Sequence, residues 1–316
     1  MKVLVTGGAG FVGANLVRKL IESGSEVVVL DDFSSGLSGN LEGLDTHVVE
    51  GSVLDEKLLA QVTSDVSAIV HLAAKPSVPR SIEHPFATHE ANATGTVRVL
   101  EAARQRDGIH VLFASSSSVY GPSESLQKSE DLVTRPISPY AASKLAAESY
   151  ALAWSHSYGI PILAFRFFNV FGPLQPPLHS YAAAVPAFLA AAFQNLPLPV
   201  YGDGKQTRDF TYVQSVVSVL IDALQRGVTS TEPVNLAFGS TFSLLDVIME
   251  LEKILGRSLP VEFFPERPGD VKHSRANPKR LQELFPNIKP DSFPEGLQHT
   301  VEWFEKNRPW DKSGVL

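Results

Sequence analysis

Short apolar runs alternate with longer helical patterns over roughly the first half of the chain. KVLVT (2–6), EVVVL (26–30), HVVEG (47–51), SAIVHLA (67–73), HVLFAS (110–115) and PILAFRF (161–167) read as strands. Most are nearly continuous in apolar residues, as in a parallel sheet covered on both faces. Helical patterns such as NLVRKLIES (15–23) and ATGTVRVLEAARQR (93–106) lie between several of them. That order predicts an α/β fold built on a doubly wound parallel sheet with right-handed crossovers.

Beyond Phe171 the texture changes. GPLQPPLH (172–179) is a Pro-rich loop, followed by helices and short strands without regular alternation. FTYVQSVVSVLIDALQRG (210–227) is expected to form a helix returning to the first domain, and PVNLAFG (233–239) another strand. The expected division is therefore a first domain over 1–169 plus about 212–237, with a smaller C-terminal α/β lobe over about 170–211 plus 238–316.

Composition narrows the function. A net charge of −7 offers no basic face for nucleic acid and no polybasic patch for a membrane. Cysteine is absent, which removes disulfides, a thiolate nucleophile and Cys-based metal sites. Lys2 precedes an apolar stretch, but glycines at 7, 8, 10 and 13 interrupt it and no small-residue cleavage site follows. The longest apolar run, YAAAVPAFLAAAF (181–193), is too short for a bilayer and contains Pro186. A soluble, cytoplasmic protein is expected. The nine histidines show no metal-ligand spacing.

VTGGAGFVG places Gly7, Gly10 and Gly13 between the first strand and the first helix. Glycines there permit a tight turn, bring backbone N–H groups close to a pyrophosphate and let the helix pack on the sheet. The second strand ends in VVLDDFSSG, where Asp31 sits at the position of a carboxylate that accepts hydrogen bonds from adenosine ribose hydroxyls. Such a carboxylate repels a 2′-phosphate, so NAD is favoured over NADP.

In SPYAASKLAAE (138–148), Tyr140 and Lys144 lie one turn apart on one helix face. FASSSSVYG (113–121) precedes them, with hydroxyls at a strand end where doubly wound folds bind ligands. A nicotinamide site, a Ser cluster and Tyr-xxx-Lys together make a hydride-transfer apparatus. A free phenol, with a pKa of about 10, is a poor base near neutrality. A neighbouring ammonium and the charge of oxidised nicotinamide are expected to lower it. Ser116 is expected to hydrogen-bond the reacting oxygen.

TGGAGFVG, HLAA (71–74), SSSSVYG, YAASK, RFFNVFGP (166–173), YGDGKQTRDFTYV (201–213) and ERPGDVKHS (266–274) occur in order across nearly the whole chain. Together they resemble the extended short-chain dehydrogenase/reductase superfamily, and within it the NAD-dependent nucleotide-sugar epimerase/dehydratase branch that contains UDP-glucose and UDP-N-acetylglucosamine 4-epimerases. The resemblance implies a Rossmann domain, with Ser116, Tyr140 and Lys144 as catalytic residues. It implies NAD contacts from Gly7, Gly10, Phe11, Val12, Gly13, Asp31, Asp32, Val53, Leu72, Ala73, Ala74, Asn92 and Phe168, besides Tyr140 and Lys144. Ser52 stands where the family often has an acidic residue against the adenine; its hydroxyl can still accept a hydrogen bond. Asn169, Arg208 and Arg267 match groups that hold the substrate diphosphate, and guanidinium forks suit that task. Ser77, Val185, Tyr201, Asp270 and Ser274 complete the substrate set. A homodimer through helices 93–106 and 139–157 is also implied.

Dehydratases of this branch carry acidic residues just after the catalytic Ser/Thr, and UDP-glucuronate decarboxylases usually have a Glu in that segment. Here Ser117 and Ser118 occupy those positions. The expected reaction is therefore 4-epimerisation of a UDP-hexose, UDP-glucose/UDP-galactose and possibly UDP-GlcNAc/UDP-GalNAc. A UDP-glucuronate 4-epimerase or another NDP-sugar dehydratase or decarboxylase is the alternative within the family, and a non-catalytic NAD-binding regulatory protein the alternative outside it.

Overall fold

The computed structural model describes residues 1–312 except 124, 126, 178–182 and 267–271. Its first half lays down β1 (Lys2–Thr6), α1 (Phe11–Glu22), β2 (Glu26–Asp31), β3 (His47–Glu50), α2 (Glu56–Val62) and β4 (Ala68–His71). Then come α3 (Val78–Glu83), α4 (Pro85–His89), α5 (Gly95–Arg104), β5 (His110–Ser116), α6 (Pro139–Tyr158) and β6 (Ile162–Phe167). The second half comprises β7 (Asn169–Phe171), α7 (Ala184–Phe193), β8 (Leu198–Tyr201), β9 (Thr207–Tyr212), α8 (Val213–Arg226) and β10 (Val234–Leu236). β11 (Thr241–Ser243), α9 (Leu244–Leu255), β12 (Val261–Phe264), β13 (His273–Ser274), α10 (Lys279–Leu284) and α11 (Phe293–Asn307) complete it.

Seven strands form one parallel sheet in the order β10-β6-β5-β4-β1-β2-β3. The doubly wound fold expected from the apolar runs is present. Val3, Val5 and Val70 feed the core on one face, and Leu4, Ile69 and Val111 the core on the other. Strand order reverses between β1 and β4, which opens a crevice at the carboxyl ends of those strands.

Two elements differ from the sequence expectation. The run 210–227 is not one helix: β9 extends to Tyr212, and α8 begins at Val213. The β-branched and aromatic residues of TRDFTY pair with β7, β11 and β13, so strand pairing claims the segment's start. The helix expected over 93–106 begins earlier, as a π-turn over Glu90–Thr94 that runs into α5.

The second half interlocks with the first. α8 packs on α1, where Gln214 Nε2 donates to Asn15 Oδ1 at 3.0 Å. Asn15 Nδ2 in turn donates to the Pro173 carbonyl at 3.0 Å. No helix among the described residues is long and apolar enough to cross a membrane.

Candidate active site

The turn after β1 is shaped by close backbone approaches. Gly7 has φ +71°, and a Cβ there would lie 2.7 Å from the Ala73 amide nitrogen. A Cβ at Gly13 would overlap the Gly7 carbonyl oxygen. Gly10 caps α1 without any side-chain hydrogen bond, so the first N–H groups of the helix are left for an anion. This cradle fits a pyrophosphate.

Asp31 closes β2 and is buried. Its Oδ2 accepts the Ala9 N–H and its Oδ1 the Phe33 N–H, both at 2.9 Å. The carboxylate therefore ties the glycine turn to the β2 exit while keeping lone pairs for a ligand. Burial pushes its pKa up, and the two amides act against that shift.

A cleft of about 700 Å³ runs from this turn across the sheet end. Gly7, Gly10, Phe11, Val12, Gly13, Asp31, Asp32, Ser52 and Val53 line one stretch. Leu72, Ala73, Ala74, Ser77, Ser116, Tyr140, Lys144 and Phe168 line the rest. Lys75 and Arg80, which sequence reasoning did not single out, also face it. Both follow the HLAA motif, and that proximity was the available signal.

α6 carries the Tyr/Lys pair. Ser138 caps it by accepting the Ala141 N–H at 3.1 Å, and Pro139 opens its first turn. The buried Lys144 ammonium donates to the Ala114 carbonyl at 2.7 Å and lies 5.4 Å from the Phe113 ring centroid. Burial lowers its pKa to about 8. Tyr140 behaves otherwise than expected from Lys144 alone. Burial pushes the phenol above its ordinary value, while a hydrogen bond with Ser116 pulls it down. Lys144 does not reverse that balance, because desolvation dominates both groups.

His71, at the end of β4, is held neutral. Its Nε2 lies 3.0 Å from Thr96 Oγ1, whose proton goes to the Asn92 carbonyl at 2.6 Å. Nε2 must therefore carry the imidazole proton, and Nδ1 accepts from Thr6 Oγ1 at 2.7 Å. Burial, with the Lys144 charge adding to it, lowers the His71 pKa to about 3.

A second cavity of about 180 Å³ adjoins the cleft through Ser116–Ser118 and Ser77–Val78. Asn169 on β7, Arg208 on β9 and Ser274 on β13 line it, and strand register sets Ser274 beside Arg208. Ser117, Ser118 and the buried Lys128 contribute as well. Lys128 Nζ donates to the Ser123 carbonyl at 3.4 Å, and burial lowers its pKa. It sits in a loop without a motif around it, so nothing local signalled it.

The NAD dependent epimerase/dehydratase family model matches residues 3–237. The chain belongs to that family. A UDP-glucose 4-epimerase from Mycolicibacterium smegmatis is 35% identical over 312 residues, covering 96% of this chain and 98% of the relative. A dTDP-glucose 4,6-dehydratase from Xanthomonas campestris pv. campestris is 32% identical over 340 residues, covering 99% and 95%. Among solved structures, a UDP-N-acetylglucosamine 4-epimerase from Methanobrevibacter ruminantium, in complex with UDP-N-acetylmuramic acid, superposes with a TM-score of 0.91. It is 34% identical, with 96% of this chain and 98% of that one covered.

Membership of the epimerase/dehydratase family makes NAD the cofactor, and the glycine cradle and Asp31 fit it. Several expected residues stand elsewhere than the cleft wall. Asn92 lies behind it on the π-turn, with Oδ1 taking the Lys75 N–H at 2.7 Å and Nδ2 donating to Lys75 O and Ser143 Oγ. Both ends of its amide are thus spent on protein groups, and it shapes the Lys75 loop. Val185 is buried on α7 in the main core. The Tyr201 ring stacks on Phe264, with ring centroids 5.4 Å apart. Arg267 and Asp270 lie outside the described residues.

Proposed function

We propose that this NAD-dependent family member is a nucleotide-sugar 4-epimerase acting on UDP-hexoses, UDP-glucose/UDP-galactose and the N-acetyl pair. One observation carries the choice of reaction. Among the described residues lining the two cavities, the carboxylates are Asp31 and Asp32, both at the ribose end. Among those lining residues none beside Ser116 is acidic, where expelling a hydroxyl would need an acid and a base. Ser117 and Ser118 offer hydroxyls there.

In this reading the glycine turn, Asp31 and the walls of the large cleft hold NAD, with residues 1–169 and about 212–237 forming its domain. NAD, when bound, accepts a hydride from the sugar C4 and gives it back. Tyr140 takes the C4 hydroxyl proton and later returns one, and Ser116 hydrogen-bonds the same oxygen. Lys144 supplies positive charge beside the phenol and holds the nicotinamide ribose. The 4-keto sugar turns over between the two half-reactions, so its opposite face meets the cofactor. Asn169 and Arg208 hold the diphosphate, with Arg267 joining them. Ser77 from the first domain and Ser274 from the lobe over about 170–211 and 238–316 shape the sugar pocket. Because Ser274 is small, an N-acetyl group has room. α5 and α6 are the proposed homodimer face; Tyr150 and Tyr158 on α6 are exposed.

Incubation with UDP-galactose should yield UDP-glucose, and UDP-GlcNAc should yield UDP-GalNAc. Failure of both conversions overturns the proposal. Ser274→Tyr should suppress the N-acetyl reaction selectively. Lys128 favours a second reading, 4-epimerisation of UDP-glucuronate, because a buried ammonium in the smaller cavity suits an acidic sugar. UDP-glucuronate assayed beside the neutral sugars separates the two.

A further inference from the structure

Tyr140, Lys144 and Glu148 follow one another at one-turn intervals along α6. The first two have proposed tasks, whereas Glu148 lines neither cavity and is buried. Burying a carboxylate is costly unless it is fully paired. Here the pairing is complete and links three elements. Arg166 on β6 grips Glu148 with two prongs, NH2 to Oε1 at 2.6 Å and Nε to Oε2 at 3.0 Å. Ser115 on β5 donates its hydroxyl to Oε2 at 2.6 Å.

The Arg166 guanidinium is itself held from behind. It lies 4.7 Å from the centroid of the Tyr120 ring, and Tyr120 donates to Asn235 Oδ1 at 2.6 Å on β10. Glu148 therefore sits at the centre of a network spanning β5, β6, β10 and α6. Ser115 immediately precedes Ser116, and Ala114, the acceptor for Lys144, immediately precedes Ser115. Ala114 and Ser115 of β5 thus meet two successive rungs of α6, Lys144 and Glu148.

We propose that the Glu148–Arg166 pair is a positioning clamp that sets the register of the Tyr140/Lys144 helix against the end of the strand bearing Ser116. The proposal rests on the epimerase reading above for the meaning of that register. Neither residue touches substrate or cofactor; both act through Ser115 and the helix. Loosening the clamp lets the Ser116 hydroxyl drift from Tyr140, and a shift of about 1 Å in such a site costs on the order of a hundred-fold in rate.

The test separates geometry from charge. Glu148→Gln alone leaves Arg166 as an uncompensated buried cation, which favours phenolate and pulls the Tyr140 titration down. The double variant Glu148→Gln/Arg166→Met is neutral, like the intact pair, but lacks its fork. In NAD-loaded protein, the Tyr140 phenolate is titrated by ultraviolet difference absorbance, assigned by subtraction of Tyr140→Phe. The double variant should titrate at higher pH than the parent, because the Ser116 hydrogen bond is weakened. Its kcat on UDP-galactose at neutral pH should fall at least about ten-fold, with KM little changed. An unaltered titration midpoint in a folded double variant refutes the clamp. If the midpoint rises yet the parent turns over no UDP-hexose, the clamp stands and the epimerase reading falls. Should the double variant fail to fold, Ser115→Ala, which removes the β5 contact alone, must raise the midpoint in the same direction; an unchanged midpoint there also refutes it.

Discussion

The Lys144 ammonium donates to the Ala114 carbonyl oxygen at 2.7 Å, so the amine one turn from Tyr140 is tied to the strand that ends in Ser116. Both catalytic candidates on α6 are thereby referenced to β5. Replacing Lys144 by Met removes the tie and the charge together. Turnover of UDP-galactose should drop about 10²–10⁴-fold, as for loss of a general acid–base partner, and Tyr140→Phe should do the same. Far-ultraviolet circular dichroism should stay unchanged in Tyr140→Phe.

Gly13→Ala tests the cradle. The added methyl would run into the Gly7 carbonyl oxygen, so the turn and α1 must part. We expect the variant to lose bound NAD, read as absorbance released on denaturation. Gly24→Ala is the control for added bulk, because a Cβ there meets nothing within 4 Å, although its φ of +80° carries some strain.

Asp209 should make stability pH-dependent. It is fully buried on β9, with Oδ2 accepting the Gly239 and Ala276 N–H groups at 3.0 Å each. Oδ1 has no hydrogen-bond partner among the described residues. Burial raises its pKa from 3.8 to about 7, against the pull of the two amides and of Arg275. The folded chain therefore holds this proton more tightly than the unfolded one. Its stabilising contribution is full below pH 3.8 and lost as pH rises through about 7. In Asp209→Asn that decline should flatten, measured as the melting-temperature difference from the parent between pH 5 and pH 8.

His71 acts with the opposite sign. Its folded pKa of about 3 lies below the ordinary 6.5, so its contribution is full above 6.5 and lost as pH falls toward 3. His71→Asn should be less stable than the parent at neutral pH, and the gap should narrow in acid. Urea unfolding at a series of pH values reads the gap directly.

Lys128→Met should separate sugar classes. If the ammonium faces an acidic sugar, KM for UDP-glucuronate should rise about ten-fold or more, the worth of one hydrogen bond to a charged group. KM for UDP-glucose should move far less.

The first half of the fold was legible because its signals are local. KVLVT, the glycine turn and the amphipathic run after it each need only neighbouring residues to be understood, and β1 and α1 lie where those patterns place them. The start of α8 was not legible, since TRDFTY is apolar enough for either state and its partners in β7, β11 and β13 are distant in sequence. The site divides the same way. Tyr140 and Lys144 are singled out by their spacing together with the glycine turn and the Ser run before them, whereas Lys128 enters its cavity through a bridge to Ala276 that no local pattern encodes. Asn92 looked like a ligand contact, but the π-turn directs its amide to Lys75 and Ser143.

β10 lies at the edge of the main sheet and α8 lies on α1, although both come after β7, β8 and β9 in the chain. A ribosome that has released only β1 to β6 has made the whole glycine turn without the late strand and helix that complete its sheet. The intervening segment from β7 to β9 must be threaded before that closure, so neither half should persist as a separately expressed fragment.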